Sequence, residues 1–164
     1  GDIGRYGVAT WRALRVPPDD DAHLSLPRIV ECARSAAAAV GRSETGFEAI
    51  QLPFNVHMAD AFTVRAHEFE GERRSALAVA HELDLDVFTS ASLGQGDLVG
   101  GLPPAVNAEL TGDTPAQRAI NFARSAPGVT CALVGASDPD HVAENVAAGT
   151  FDPLGARAFD AVFE

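Results

Sequence analysis

Four short apolar segments recur along the chain, at residues 5–9, 48–54, 85–91 and 129–136. Each is nearly continuous in apolar or small residues, which is typical of strands covered on both faces of a parallel sheet. Segments with apolar residues at helical spacing lie between and after them, and they predict helices at about 25–40, 70–83, 114–125 and 137–148. Strand and helix therefore alternate four times.

The clearest helix start is at Thr114, because Gln117 three residues later completes a capping box that satisfies free backbone N–H groups. Ser25 and Gly41 mark the predicted start and end of the first helix. Its apolar spacing predicts a buried face made of Ile29, Cys32, Ala33 and Ala36.

Parallel strands joined by helices need right-handed crossovers, which leaves an open α/β sheet or part of a closed barrel. Two connections, residues 10–24 and 92–113, are too long for simple turns. Both follow a predicted strand, so they lie at the carboxyl ends of strands, where both architectures build their ligand sites. We expect the functional site at this end.

The chain has 164 residues, 46% of them hydrophobic, a size that suits a single domain. It contains no lysine, and its formal charge of -11 would repel phosphate groups, so nucleic acid and anionic membranes are not expected partners. No apolar run reaches the length of a membrane helix, and the N-terminus has no hydrophobic signal segment. A soluble, cytoplasmic protein is the expectation.

Cys32 and Cys131 lie in apolar surroundings without the close spacing of a redox or zinc motif, so we expect two buried, reduced thiols. The histidines are scattered and form no HxH or HExxH pattern, so no metal site is expected. The sequence around Ser90 and Ser92 lacks a GxSxG elbow, which argues against a hydrolase.

Five ordered segments carry a family resemblance, at residues 1–10, 51–55, 91–96, 114–129 and 135–145. They read GDIGRYGVAT, QLPFN, ASLGQG, TPAQ with a later PGV, and GASDPDHVAEN. Together they resemble the fifth to eighth βα units of the aldo-keto reductase family. The resemblance implies the C-terminal half of a TIM (β/α)8 barrel, with residues 1–164 as one partial-barrel domain.

The resemblance also implies which residues hold a nicotinamide cofactor. Gln51 and Thr10 match positions that bind the nicotinamide carboxamide. Leu93, Gly94 and Gln95 form a glycine-containing loop whose backbone amides suit a pyrophosphate. The adenosine end of the cofactor matches Ser137, His141, Glu144 and Asn145.

Two of these positions have an alternative interpretation. The Gln51 carboxamide, if buried, can instead satisfy neighbouring backbone groups, and Ser137 can simply cap the helix that follows it. His141 aligns with a family arginine or glutamine that faces the adenosine phosphate, and Asp138 and Asp140 add negative charge nearby. NADP is the cofactor that the resemblance implies, with NAD as the alternative.

The family carries its catalytic aspartate, tyrosine, lysine and histidine on the first four βα units, which have no counterpart in this chain. The chain has no lysine, and its single tyrosine, Tyr6, lies within a predicted strand without a lysine or histidine beside it. We therefore predict no catalytic residue in this chain and no carbonyl reduction by it alone.

The functional hypothesis is the cofactor-binding half of an NAD(P)-dependent oxidoreductase, which reduces aldehydes or ketones once an N-terminal half-barrel completes it. Four strands of an eight-stranded barrel leave two open edges, so we expect a complementary half-barrel or self-association to cover them. The alternative is a stand-alone half-barrel that binds or assembles without catalysis.

Overall fold

The computed structural model describes residues 3–163; Gly1 and Asp2, which open the first segment of the family resemblance, lie outside the described residues. The strands are β1 (Tyr6–Ala9), β2 (Phe47–Pro53), β3 (His67–Phe69), β4 (Glu72–Arg74), β5 (Asp86–Ser90) and β6 (Cys131–Ala132). The helices are α1 (Leu26–Ala39), α2 (Asp60–Thr63), α3 (Ala76–Glu82), α4 (Pro104–Glu109), α5 (Pro115–Ser125), α6 (Pro139–Ala147) and α7 (Ala156–Ala161), with 3-10 segments at Gly94–Gly100 and Ala148–Thr150.

The main sheet has the strand order β1-β2-β5-β6. β1 and β2 run parallel, with Val8 opposite Ile50 and Ala9 opposite Gln51. The two backbones approach closely at Gly7, where a Cβ would lie 2.2 Å from the carbonyl oxygen of Ala49. The α/β class with parallel strands in one sheet is confirmed, and the four predicted strands are these four, although β6 is much shorter than expected.

The chain divides into two compact units. The first unit contains Gly1–Leu52 and Asp60–Phe88, and the second contains Pro53–Ala59 and Thr89–Glu164. One partial-barrel domain remains a prediction.

Helix α1 in the first unit turns a different stripe inward from the one predicted. Its buried residues are Leu26, Val30 and Ala33, so only Ala33 of the predicted face is buried. The two stripes are one position apart, because the spacing of small residues in this alanine-rich helix fits either one. Cys32 consequently lies on the outer side of α1 and is exposed, which corrects the expectation of a buried thiol.

A β-hairpin stands where the sequence predicted the start of the second helix. Strands β3 and β4 pair antiparallel, with Glu68 opposite Arg73. Glu70 and Gly71 connect them with φ angles of 52° and 81°, the left-handed geometry that suits a two-residue hairpin turn. Helix α3 therefore begins only at Ala76, where Ser75 caps it by accepting the Ala78 N–H.

The interior of the first unit contains two polar side chains with complete sets of partners. His67 is fully buried; its Nδ1 accepts the Leu26 N–H at 3.2 Å and its Nε2 donates to the Leu14 carbonyl at 3.1 Å. Arg15 is also buried, and it donates to the Trp11 carbonyl and to Asp60. These bonds fix the long connection after β1 to the rest of the unit.

An aromatic cluster forms the core of the second unit. Phe54 stacks on Phe122 with ring centres 5.6 Å apart, and Phe159 packs 5.1 Å from Phe122. Helix α5 supplies much of this core, and its capping box is confirmed, since the Thr114 side chain accepts the Gln117 N–H while the Gln117 side chain accepts the Thr114 N–H.

The two terminal strands of the sheet order are largely exposed. Tyr6, Gly7 and Ala9 of β1 are exposed, and so is Cys131 of β6, where a second buried thiol was expected. A terminal strand has unpaired backbone groups on one side and can accept another strand there. No helix within residues 3–163 combines the length and the apolar character needed to cross a bilayer.

Candidate functional site

A cleft in the second unit has a volume of about 610 Å³ and opens where β6 leads into α6. Five of the residues that the sequence singled out line it: Leu93, Ser137, His141, Glu144 and Asn145. The other lining residues are Val99, Pro115, Ala116, Gly135 and Ala136. The cleft therefore combines apolar walls with a few polar side chains, the composition typical of small-molecule sites.

Glu144 is fixed in this cleft by the start of helix α5. Its carboxylate accepts a short hydrogen bond, 2.5 Å, from the Thr114 hydroxyl, and its backbone carbonyl accepts from the Gln117 side-chain amide at 3.3 Å. The capping box of α5 thus has a second role, because the same two side chains hold α6 against α5. A carboxylate near a helix N-terminus is also favoured by the helix dipole.

Helix α6 begins beside the same cleft, and its N-cap is Asp138 rather than Ser137. The Asp138 carboxylate accepts the Asp140 N–H at 2.8 Å. Ser137, which lines the cleft, is therefore not the capping side chain. Its exposed hydroxyl can bind a ligand.

A neighbouring cavity of about 380 Å³ lies against the loop that follows β5. Gln95 and Gly96 line it, while Leu93 and Gly135 line both this cavity and the cleft. The loop turns sharply, with φ angles of 59° at Gln95 and 102° at Gly96. Gly94 lines neither space, and its N–H donates to the Ala91 carbonyl at 2.7 Å.

Thr10 and Gln51 belong to the first unit and lie on adjoining parts of its sheet. The Thr10 N–H donates to the Gln51 carbonyl at 2.9 Å. The Thr10 hydroxyl is buried and has no hydrogen-bond partner among residues 3–163. The Gln51 carboxamide is half-buried, and its expected alternative, a bond to nearby backbone, is not among the hydrogen bonds of the described residues. The Gln51 carboxamide can therefore bind a ligand, whereas the Thr10 hydroxyl is enclosed by the protein.

Tyr6 is engaged in a local contact and lacks the setting of a catalytic acid. Its hydroxyl lies 3.2 Å from the Thr45 hydroxyl, and its ring packs edge-on against Phe47. His67, although buried, uses both ring nitrogens for backbone contacts. Within residues 3–163, no group of three or more His, Cys, Asp or Glu side chains is placed to hold a metal ion.

Several residues that line the cleft were not predicted from the sequence as site residues, among them Val99, Pro115 and Ala116. The capping box at Thr114 was recognised as a helix start, but its bond to Glu144 spans 30 positions and has no local signal. Cleft-facing apolar residues such as Val99 look like any surface apolar residue until the fold is known.

No protein-family model matches this chain and no curated protein matches it. Solved structures do. Aldo-keto reductase AKR11C1 from Bacillus halodurans, in its holo form, superposes with a TM-score of 0.58 and 15% identity over 97% of this chain and 49% of its own. A protein described as a 2,5-diketo-D-gluconic acid reductase B superposes with a TM-score of 0.55 and 18% identity over 85% of this chain and 42% of its own.

The chain thus spans about half the length of the solved structures that it matches. Their likeness confirms the predicted fold, half of an aldo-keto reductase (β/α)8 barrel, which the order of strands and helices independently supports. At these identities the likeness concerns the fold alone, and function has to be argued from the site.

Proposed function

We propose that this chain is the cofactor-binding half of an aldo-keto-reductase-type oxidoreductase, which reduces aldehydes or ketones with a nicotinamide dinucleotide once four further βα units complete the barrel. The observation that carries the proposal is the cleft in which Ser137, His141, Glu144 and Asn145 converge beside the loop after β5. A cytoplasmic location remains an expectation from composition.

The polar groups of the chain suit such a cofactor. The adenosine end fits the cleft, where Asn145 and Ser137 offer hydrogen-bond donors and acceptors. The loop around Gln95 offers backbone to the pyrophosphate. The role of Gln51 at the nicotinamide carboxamide rests on the family resemblance alone. When bound, the nicotinamide ring supplies the hydride. The resemblance favours NADP, with NAD as the alternative.

The open surfaces of the chain support completion by another half-barrel. In the second unit, Val142 and Val146 are 48% and 71% exposed in a groove along β6 and α6, and Leu133, directly after β6, is 40% exposed. Apolar side chains around an open strand edge favour a partner that covers both. The occupant we propose is the first four βα units of an aldo-keto reductase barrel, because the matched structures contain about as much chain again.

The acid that protonates the carbonyl has to come from that other half. The chain has no lysine, and its single tyrosine contacts Thr45 instead of a lysine or histidine. A carbonyl oxygen that gains a hydride at its carbon needs a nearby proton donor. The chain alone therefore binds cofactor and does not turn over.

The test has two arms. Calorimetry of this chain with NADH and NADPH should detect binding, and an Asn145→Ala variant should weaken it, while Glu109→Gln on α4 should not. Mixing with the first four βα units of an aldo-keto reductase should then convert the sample from self-associated or unstable species into a defined complex by sedimentation. Reduction of nitrobenzaldehyde by the chain alone would contradict the proposal.

The second candidate, a non-catalytic half-barrel that serves in assembly, is favoured by the same open edges. It predicts association without cofactor. Absence of dinucleotide binding, with and without the complementary half, would establish it and overturn the oxidoreductase.

A further inference from the structure

We propose that His67 is a pH-sensitive switch in the first unit: its neutral ring holds the connection of residues 10–24 to the start of α1, and its protonation releases them. The switch uses residues of this unit alone and does not depend on the proposed function. Its basis is the geometry of two hydrogen bonds and of the helix terminus that one of them caps.

The tautomer of His67 follows from its two partners. Its Nδ1 accepts the Leu26 N–H at 3.2 Å, so this nitrogen carries no proton. Its Nε2 lies 3.1 Å from the Leu14 carbonyl and therefore carries the proton that it donates. A second proton on the ring would have to sit on Nδ1, where it would face the Leu26 N–H, and two donors cannot share a hydrogen bond. The closed arrangement therefore accepts only the neutral ring.

The Leu26 N–H is one of the free donors at the start of helix α1. Ser25 occupies the N-cap position, but its side chain makes no capping bond among the described residues, so His67 supplies the acceptor instead. The first turn of the helix, residues 26–29, contains Arg28 and no acidic residue. A charged His67 would therefore lie at the positive end of the helix dipole, which disfavours a cation. Protonation both removes the cap and adds repulsion at the helix start.

Burial prevents water from compensating for this loss. His67, Leu14 and Leu26 are all fully buried. Burial lowers the pKa of His67, the hydrogen bond to the Leu14 carbonyl opposes that shift, and the neighbouring His23 ring adds to it. The His23 ring centre lies 5.4 Å from that of His67, and its Nε2 is buried without a hydrogen-bond partner in the described part of the chain. His23 therefore offers no compensation for a charge on His67.

The charged side chains on the elements around His67 are paired with each other or exposed to water. The ion pairs are Arg12–Asp20 and Arg15–Asp60 at the connection, Arg28–Glu31 on α1, and Arg74 of β4 with Glu72 and Glu82. The further charged or titratable side chains of these elements are exposed, among them Asp19, Asp21, Arg34, Glu68, Arg73 and His81. Within residues 3–163, the hydrogen bonds of His67 go to backbone groups and not to these carboxylates. A charged ring therefore gains no partner unless the chain moves.

Release of His67 should loosen a defined segment. The ring joins Leu14 to Leu26, so both ends of the segment between them are held by one side chain. Arg15 stays fixed at mildly acidic pH, because its guanidinium does not titrate there and donates to the Trp11 carbonyl and to Asp60. We therefore expect a local opening of the connection and of the first turn of α1 while β2 stays folded. The connection follows β1 at its carboxyl end, where parallel α/β folds build their ligand sites.

Hydrogen–deuterium exchange of the full chain measures the opening, by mass spectrometry at pH 7.5 and 5.0 with correction for the intrinsic effect of pH on exchange. Peptides that cover residues 11–28 should lose protection about tenfold or more at the lower pH, whereas those that cover 47–52 should keep theirs. Trp11 is the only tryptophan of the chain, so its fluorescence gives an independent titration. The midpoint should lie below the usual histidine value of about 6.5.

Three variants assign the titration. His67→Gln offers an amide oxygen to the Leu26 N–H and an amide N–H to the Leu14 carbonyl without titrating, so the connection should stay protected at both pH values. His23→Gln removes the neighbouring imidazole, which lowers the pKa of His67, so the midpoint should rise. His81→Gln, at an exposed position on α3, is the matched control and should leave the midpoint unchanged.

Constant protection of residues 11–28 down to pH 5.0, or an unchanged titration in His67→Gln, overturns the switch. Equal loss of protection in residues 11–28 and 47–52 also overturns it, because the opening is then not local. If His67→Gln is open at both pH values, His23→Gln decides: a raised midpoint supports the switch and an unchanged midpoint overturns it.

Discussion

Two sets of polar side chains, one from each compact unit of this chain, are used in opposite ways. In the first unit, His67 and Arg15 are buried, and their hydrogen bonds go to backbone or to a carboxylate within the unit. In the second unit, Ser137, His141 and Asn145 line an open cleft. The first arrangement stabilises a fold, whereas the second leaves donors and acceptors for a ligand.

Burial and hydrogen-bond satisfaction therefore separate structural from ligand-binding polar residues better than residue type does. A histidine occurs in both sets, yet His67 has no free nitrogen while His141 is exposed at the cleft. Gln51 and Thr10 are exceptions within the first unit, since their side chains have no partner among the described residues. The predictions below test this division.

The largest effect is expected for His67→Ala in the first unit. The change leaves the Leu26 N–H and the Leu14 carbonyl without partners in a buried site and opens a cavity, so the free energy of unfolding should fall by about 2–4 kcal/mol. Denaturant unfolding measures it. His81→Ala, at an exposed position on α3, is the control and should cost under about 0.5 kcal/mol. Equal losses in both variants would refute a special role for His67.

The sequence predicted the strands and the capping box well because those signals are local. An apolar run indicates a strand in its own segment, and a Thr followed three residues later by a Gln indicates a helix start there. The inward stripe of α1 was wrong by one position because alanine fits either face of a helix. The bond between Thr114 and Glu144, and the partners of His67, depend on residues 30 to 53 positions apart, so no window of sequence shows them.

Gln51→Ala tests whether this side chain, which lies in the first unit but has no hydrogen-bond partner there, serves a ligand instead of the fold. Because the carboxamide has no partner within the described chain, the variant should lose under about 0.5 kcal/mol of stability. In a completed barrel the same change should weaken nicotinamide dinucleotide binding by about 1–3 kcal/mol, the cost of an unpaired polar group at a binding site. A large loss of folding stability with unchanged dinucleotide affinity would show that Gln51 stabilises the fold and does not bind the cofactor.

Thr114→Val tests whether the cleft depends on its helix cap. The variant removes the hydroxyl that accepts the Gln117 N–H and donates to Glu144, so stability should fall by about 1–2 kcal/mol. Affinity for ADP-ribose should fall as well, because the Glu144 side chain is then free to move. Thr114→Ser keeps the hydroxyl and should restore most of both. If valine changes stability alone, Glu144 does not depend on Thr114 for its place in the cleft.

The smallest effect is the pH dependence of the first unit. Burial lowers the pKa of His67, its hydrogen bond to the Leu14 carbonyl opposes that shift, and the nearby His23 ring adds to it. The unfolded chain therefore binds a proton at a pH where the folded chain does not, so stability is complete above the unfolded pKa of about 6.5 and falls as the pH drops below it.

Denaturant unfolding between pH 7.5 and 5.5 measures this loss, which cannot exceed about 1.4 kcal/mol per pH unit for one proton. His81→Gln should retain the slope, because that side chain is exposed. His23→Gln should reduce the slope, because it removes the second imidazole, whose ring centre lies 5.4 Å from that of His67. Stability that stays constant down to pH 5.5 would show that the folded chain accommodates a protonated His67. The view that His67 is a buried side chain with both nitrogens committed to the fold would then be wrong.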